Sequence, residues 1–121
     1  MSKRQHAADL GEFKRHAVYW IERFGLKDWR INFKSEPQQD GRMASINING
    51  EARVAEIILR TGKEKERDQP LERLALHEVL HLVLNDFAQT IARRADDLHP
   101  DSVREEHKVL ERLIPVLLEE R

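Results

Sequence analysis

The chain contains no cysteine, and that absence removes disulfide frameworks, thiolate nucleophiles and cysteine-ligated zinc modules together. Any metal site must be built from histidine and carboxylate. An excess of charge of one sign is missing too: 21 Lys and Arg stand against 22 Asp and Glu, for a formal net charge of -1. Nothing in that balance favours nucleic acid or an anionic membrane as partner. No apolar run approaches the roughly 20 residues needed to span a bilayer, and Met1 to Leu10 lacks the apolar stretch of a signal peptide. The cytoplasm is the expected compartment. With 121 residues, 40% hydrophobic and 36% charged, the chain has room for one core under a charged surface. A single domain over 1–121 is expected, with 1–9 as a flexible lead.

Phe13, Ala17, Trp20, Ile21 and Phe24 recur at helical spacing, with Gly25 just beyond as a C-cap, and predict an amphipathic helix over 11–24. Trp29, Ile31 and Phe33 alternate with Arg30, Asn32 and Lys34, the period of a half-buried strand. Residues 36–41, with Pro37 and an Asp-Gly pair, are turn material. Ala44, Ile46 and Ile48 alternate in a second strand ending near Gly50. A third at about 54–60 carries Val54, Ile57, Ile58 and Leu59. The charged stretch from Arg60 to Gln69 reads as an exposed loop. Pro70 opens a helix running to about Phe87, with Asp68 or Gln69 available as cap. A last helix is predicted from Val103 to about Leu118 despite Pro115, capped by Asp101 or Ser102.

His77-Glu78-Val79-Leu80-His81 places two imidazoles one helical turn apart, so that their ring nitrogens can converge on one metal ion. Glu78 lies about 100° round the helix from His77, within reach of a metal-activated water without being a ligand. It is the candidate general base. From Leu74 to Leu84 the sequence is apolar at every position except these three, which describes a buried helix. Two imidazoles and a carboxylate buried without partners would cost several kcal/mol, and a metal ion satisfies them at once. The bland alternative is a pair of hydrogen-bonded core histidines with Glu78 at a surface edge.

A catalytic zinc site needs a third protein ligand and an open position. The metzincin continuation is excluded, because Leu84 and Phe87 stand where it requires glycine and histidine. In the last helix Val103, Leu110, Leu113, Ile114 and Leu117 define an apolar face, and projection at 100° per residue puts Glu106 on it and Glu105 on the opposite side. Glu106 is the expected third ligand. Glu105, His99, His107, Asp96 and Asp97 are the alternatives, and His107, at the edge of the same face, also suits a supporting role. Asp86, Asp96 and Asp97 are candidates to orient the zinc-bound imidazoles.

With these residues the sequence resembles the minimal zincins, in particular the small glutamate-liganded metallopeptidase-like proteins (gluzincins) that include the SprT-like and ImmA-like groups and many short phage or prophage proteins. The resemblance covers most of the chain. It rests on the leading helix, the Trp29-Arg30-Ile31-Asn32-Phe33 strand, the strands around Ile46 and Ile57, the HExxH helix, and Glu105-Glu106 opening the last helix. It implies an α+β zincin-like fold: an N-terminal helix, a short three-stranded, mainly antiparallel sheet, the HExxH helix and a C-terminal helix. It further implies Zn2+ on His77, His81 and Glu106, a protein or peptide substrate, and hydrolysis of peptide bonds. The cysteine zinc ribbon common in SprT-like proteins is absent, so a DNA-associated role is not implied. For the residue that stabilises the reacting carbonyl oxygen, Tyr19, His16 and His99 are the candidates.

Two further readings stand beside this one. His77 to Asp86 also resembles the metal motif of YbeY-type endoribonucleases, but Glu78 and Phe87 replace its glycine and closing histidine. A non-catalytic, metal-stabilised module that binds a partner protein is the other.

Overall fold

The computed structural model describes residues 3–37, 41–61, 70–94 and 100–120, and the side chains of 5–37, 41–61, 70–85 and 106–120. It is α+β, with helix α1 (Lys3–Arg23), strands β1 (Arg30–Pro37), β2 (Ala44–Asn49) and β3 (Val54–Thr61), then helices α2 (Leu71–Arg94) and α3 (Pro100–Glu120). The expected charged connection after Thr61 and the caps Asp68 and Gln69 lie outside the described residues, as do the side chains of Asp101 and Ser102.

The stripe Phe13, Ala17 and Trp20 explains α1, since all three are buried against the core. The helix stops where the periodicity stops. Gly25 takes the left-handed conformation with φ of 70°, its N–H donates to the carbonyl of Glu22, and the N–H of Leu26 donates to that of Ile21. This double closure satisfies the last carbonyls, and glycine adopts it without steric penalty. At its other end α1 reaches back to Lys3, so residues 3–9, part of the stretch 1–9 expected as a flexible lead, continue the helix.

The sheet order is β1-β3-β2. β2 and β3 pair antiparallel, from Ala44 opposite Leu59 to Asn49 opposite Val54, across a tight turn in which Arg53 has φ of 55°. β1 and β3 pair parallel, from Arg30 opposite Val54 to Pro37 opposite Thr61. The sheet is therefore mixed rather than mainly antiparallel. The physical reason lies in β3: Ala55, Ile57, Ile58 and Leu59 are all buried, and the strand with the most buried side chains belongs in the middle, between half-polar edges. To put it there the chain leaves β1, steps past one strand position, descends β2 and returns between them.

One face of the sheet carries Ile57 and Leu59 with Ile31, Phe33 and Ile46, and packs with the helices in a core that includes Trp20, Leu76 and Leu80. The other face bears a charged lattice: Lys34 to Glu36 at 2.7 Å and Glu56 at 3.1 Å, and Arg60 to Glu36 at 2.9 Å. α2 packs against α1, β2 and α3. That accounts for its apolar sequence: Leu74, Ala75, Leu76, Val79, Leu80 and Leu82 are buried. α3 docks through Leu110 and Ile114, both with no exposed surface, and runs on past Pro115. No helix among the described residues is long and apolar enough to cross a membrane.

Candidate metal centre

His77 and His81 are four residues apart on α2, so both rings leave the helix on one face, the face that meets α3. Their Nε2 atoms stand 3.2 Å apart. Two nitrogens each bonded to one tetrahedral zinc lie about 3.3 Å from each other, given Zn–N bonds of roughly 2.05 Å. The helix backbone thus sets a spacing that suits a shared ion.

The other nitrogen of each ring is occupied. Nδ1 of His81 lies 3.0 Å from Oε1 of Glu106, and Nδ1 of His77 lies 3.2 Å from Oε1 of Glu111. A carboxylate has only lone pairs to offer, so each Nδ1 must carry the proton and donate it. That leaves the two Nε2 lone pairs facing one another at contact distance. Such an arrangement is repulsive unless a positive charge, a proton or a metal ion, sits with them.

His107, from α3, completes the group. Its ring centroid is 5.7 Å from that of His77 and 5.1 Å from that of His81, and one nitrogen from each of the three rings can be chosen so that all lie within 4.8 Å of one another. This histidine triad could hold a metal ion. Bringing the third nitrogen to tetrahedral spacing needs a movement of up to about 1.5 Å, within the rotamer range of His107, which is exposed. Three imidazoles are a donor set that suits zinc and other late first-row ions.

The electrostatics agree with this layout. The pKa of His77 is held below the ordinary histidine value, first by burial and then by the neighbouring His81, with Glu111 pulling the other way. Its ring therefore favours the neutral form that ligates metal. Glu78 is 6% exposed, and burial pushes its carboxyl up to about 7, opposed by the charge of Arg42. A carboxyl with that value exchanges its proton near neutral pH, which suits a general base.

The structure places Glu106 against Nδ1 of His81, on the far side of that ring from His77, while His107 supplies the third clustered nitrogen. Glu78 follows His77 on α2 and is buried, and Arg42, just ahead of β2, is the charge that bears on it. Tyr19 packs edge-on against Trp20 on α1, and His16, also on α1, is not part of the cluster. The side chains of Asp86, Asp96, Asp97, His99 and Glu105 lie outside the described residues. Glu111 was invisible to sequence reasoning, being one acid among many on a charged helix. Asn85, two turns beyond Glu78 and 7% exposed, is a further buried polar group, detectable only as a break in the apolar run. Comparison with family models, with curated proteins and with solved structures gives no match to this chain.

Proposed function

We propose that the chain is a zinc-dependent peptide hydrolase in which His77, His81 and His107 hold the metal and Glu78 is the general base. The observation that carries this reading is the pair of Nε2 atoms at 3.2 Å, each on a ring whose opposite nitrogen is engaged by a carboxylate. Bound zinc supplies a Lewis acid that polarises a carbonyl and makes water acidic at neutral pH. The chain's own residues do the rest. Glu78 accepts the proton as water attacks and returns it to the leaving amine. Glu106 holds the His81 ring with Nδ1 protonated and Nε2 toward the ion, the usual role of a carboxylate behind a ligating histidine.

The sheet supports a peptide as substrate. β2 is an edge strand packed against α2, so an extended peptide adding to that edge would run alongside the helix that carries Glu78. A helix bearing HExxH beside such a strand is what the zincin-like reading requires. The proposed compartment is the cytoplasm, in keeping with the cysteine-free composition.

The assignment of the third ligand is tested by two substitutions. His107→Ala should lose zinc on dialysis, whereas Glu106→Gln should retain one zinc with about 10- to 100-fold weaker affinity, the usual effect of losing an orienting carboxylate. The reverse pattern would make Glu106 the ligand, as the sequence projection has it. A second reading, a metal clip in a non-catalytic binding module, is favoured by one observation: the donors come from two helices, so the ion would staple α3 to α2. It predicts a partner protein held intact, where the hydrolase predicts one cleaved.

A further inference from the structure

Behind His77 lies a longer chain of contacts than behind His81. Glu111 divides its two oxygens: Oε1 takes Nδ1 of His77 at 3.2 Å, and Oε2 takes Nη2 of Arg73 at 2.6 Å. Arg73 stands four residues before His77 on α2, so arginine and imidazole project from one face of the helix and grip the same carboxylate. The Glu111 side chain is 49% exposed, against 22% for Glu106. Burial holds Glu106 in place. A half-exposed glutamate, with three free torsions and water to bind, needs something else to keep one oxygen on a ring nitrogen.

We infer that Arg73 and Glu111 are a positioning pair for His77: the guanidinium fixes the carboxylate, and the carboxylate fixes the ring and its Nδ1–H so that Nε2 is presented to the metal. This deepens the metal-centre reading above and rests on it. Neither residue is a ligand. Arg73 acts on the ion through two intervening groups, from a turn away on α2, while Glu111 arrives from α3. A docked α3 is therefore needed for His77 to be correctly oriented, quite apart from what His107 contributes.

A plain surface ion pair makes different predictions. Such pairs contribute little to stability, and a merely structural one would shift the melting temperature of the metal-free protein without changing its affinity for metal. Two residues acting in series on one ring are coupled, so their effects do not add.

The experiment is a double-substitution cycle read as zinc affinity, by competition of the folded protein with a chromophoric chelator. Glu111→Gln should weaken zinc binding about 10- to 100-fold. Arg73→Met should weaken it in the same direction, and the double variant should bind zinc within about twofold of Glu111→Gln alone. Arg73→Lys should recover part of the loss, since an ammonium can still donate to Oε2 but lacks the planar fork. Both substituted side chains are partly exposed, Arg73 at 25% and Glu111 at 49%, so loss of fold is checked simply by circular dichroism. An Arg73→Met protein binding zinc as tightly as the parent, or additive losses in the double variant, overturns the inference.

Nitrogen-15 spectra of the histidines separate this outcome from failure of the metal reading. If the parent protein takes up no zinc at all, the proposed function falls, and the pair is still tested in the metal-free protein. A His77 ring protonated at Nδ1, and losing that state in Glu111→Gln, supports the positioning role. A ring protonated at Nε2 alone in the parent contradicts it.

Discussion

Replacing Glu78 by Gln is expected to leave one zinc per chain and to lower the turnover of a cleaved disordered protein by about 10²- to 10⁴-fold, the usual contribution of a positioned general base. The amide keeps the size and shape of the side chain but cannot accept a proton from water. Metal content should survive because none of the three clustered nitrogens belongs to Glu78. The carboxyl is suited to the task by its surroundings: burial brings it to about 7, so near neutral pH it is ionised in a large fraction of molecules and still basic enough to take a proton. Steady-state rates on the zinc-loaded proteins, with zinc measured in the same samples, check this. Unchanged turnover would remove Glu78 from the chemistry.

The same substitution should have an opposite effect on the stability of the metal-free protein. Burial raises the Glu78 carboxyl from 4.5 to about 7, so the folded state prefers the protonated form. Below pH 4.5 both folded and unfolded chains carry the proton, and the full contribution of this group to stability is present. As pH rises, the unfolded chain releases its proton first, and above pH 7 the folded chain must hold a buried charge. The loss is about 3 kcal/mol by pH 8, at 1.36 kcal/mol for each pH unit separating the two values. His77 acts in the other direction. Its depressed value gives stability that is present above pH 6.5 and lost as pH falls, but His77 is common to both proteins and cancels in the comparison. Urea unfolding in the presence of a chelator should therefore show Glu78→Gln gaining about 3 kcal/mol over the parent between pH 4.5 and pH 8. Parallel curves would mean that Glu78 is not buried as described. A residue that destabilises the empty protein and serves the loaded one follows the familiar trade between stability and function.

Much of the fold was legible because the apolar periodicities are strong. Phe13, Ala17 and Trp20 mark the buried stripe of α1, and the alternation through Ile46 and Ile48 marks β2. The pairing of the strands was not legible. Parallel or antiparallel placement of β1 depends on which side of β3 the chain passes, and that follows from the need to place the largely buried β3 between two neighbours rather than from anything within β1. Helix ends moved too: α2 runs on to Arg94, past the end expected at about Phe87.

At the site, the α2 residues could be read directly because helical geometry alone joins His77 to His81. The α3 contribution could be read only to within a residue. Projection put Glu106 on the inner face, and Glu106 is indeed turned to α2, where it meets Nδ1 of His81. How deep each side chain reaches depends on how closely Leu110 and Ile114 draw α3 onto α2, and the sequence does not encode that depth locally. The more exposed His107 therefore joins the nitrogen cluster while the better buried Glu106 stands behind a ring. Glu111 is recruited by Arg73 and His77 of another helix, a relation that no pattern within α3 expresses.

The central claim is that an ion belongs among the imidazoles where α2 meets α3. Crystals of protein purified and grown without added metal, measured at the zinc absorption edge, test it most directly. The account predicts an anomalous peak bonded to Nε2 of His77 and Nε2 of His81 at about 2.0–2.1 Å, with His107 drawn in as the third nitrogen. Featureless density there, with the two Nε2 atoms still in contact, would contradict it.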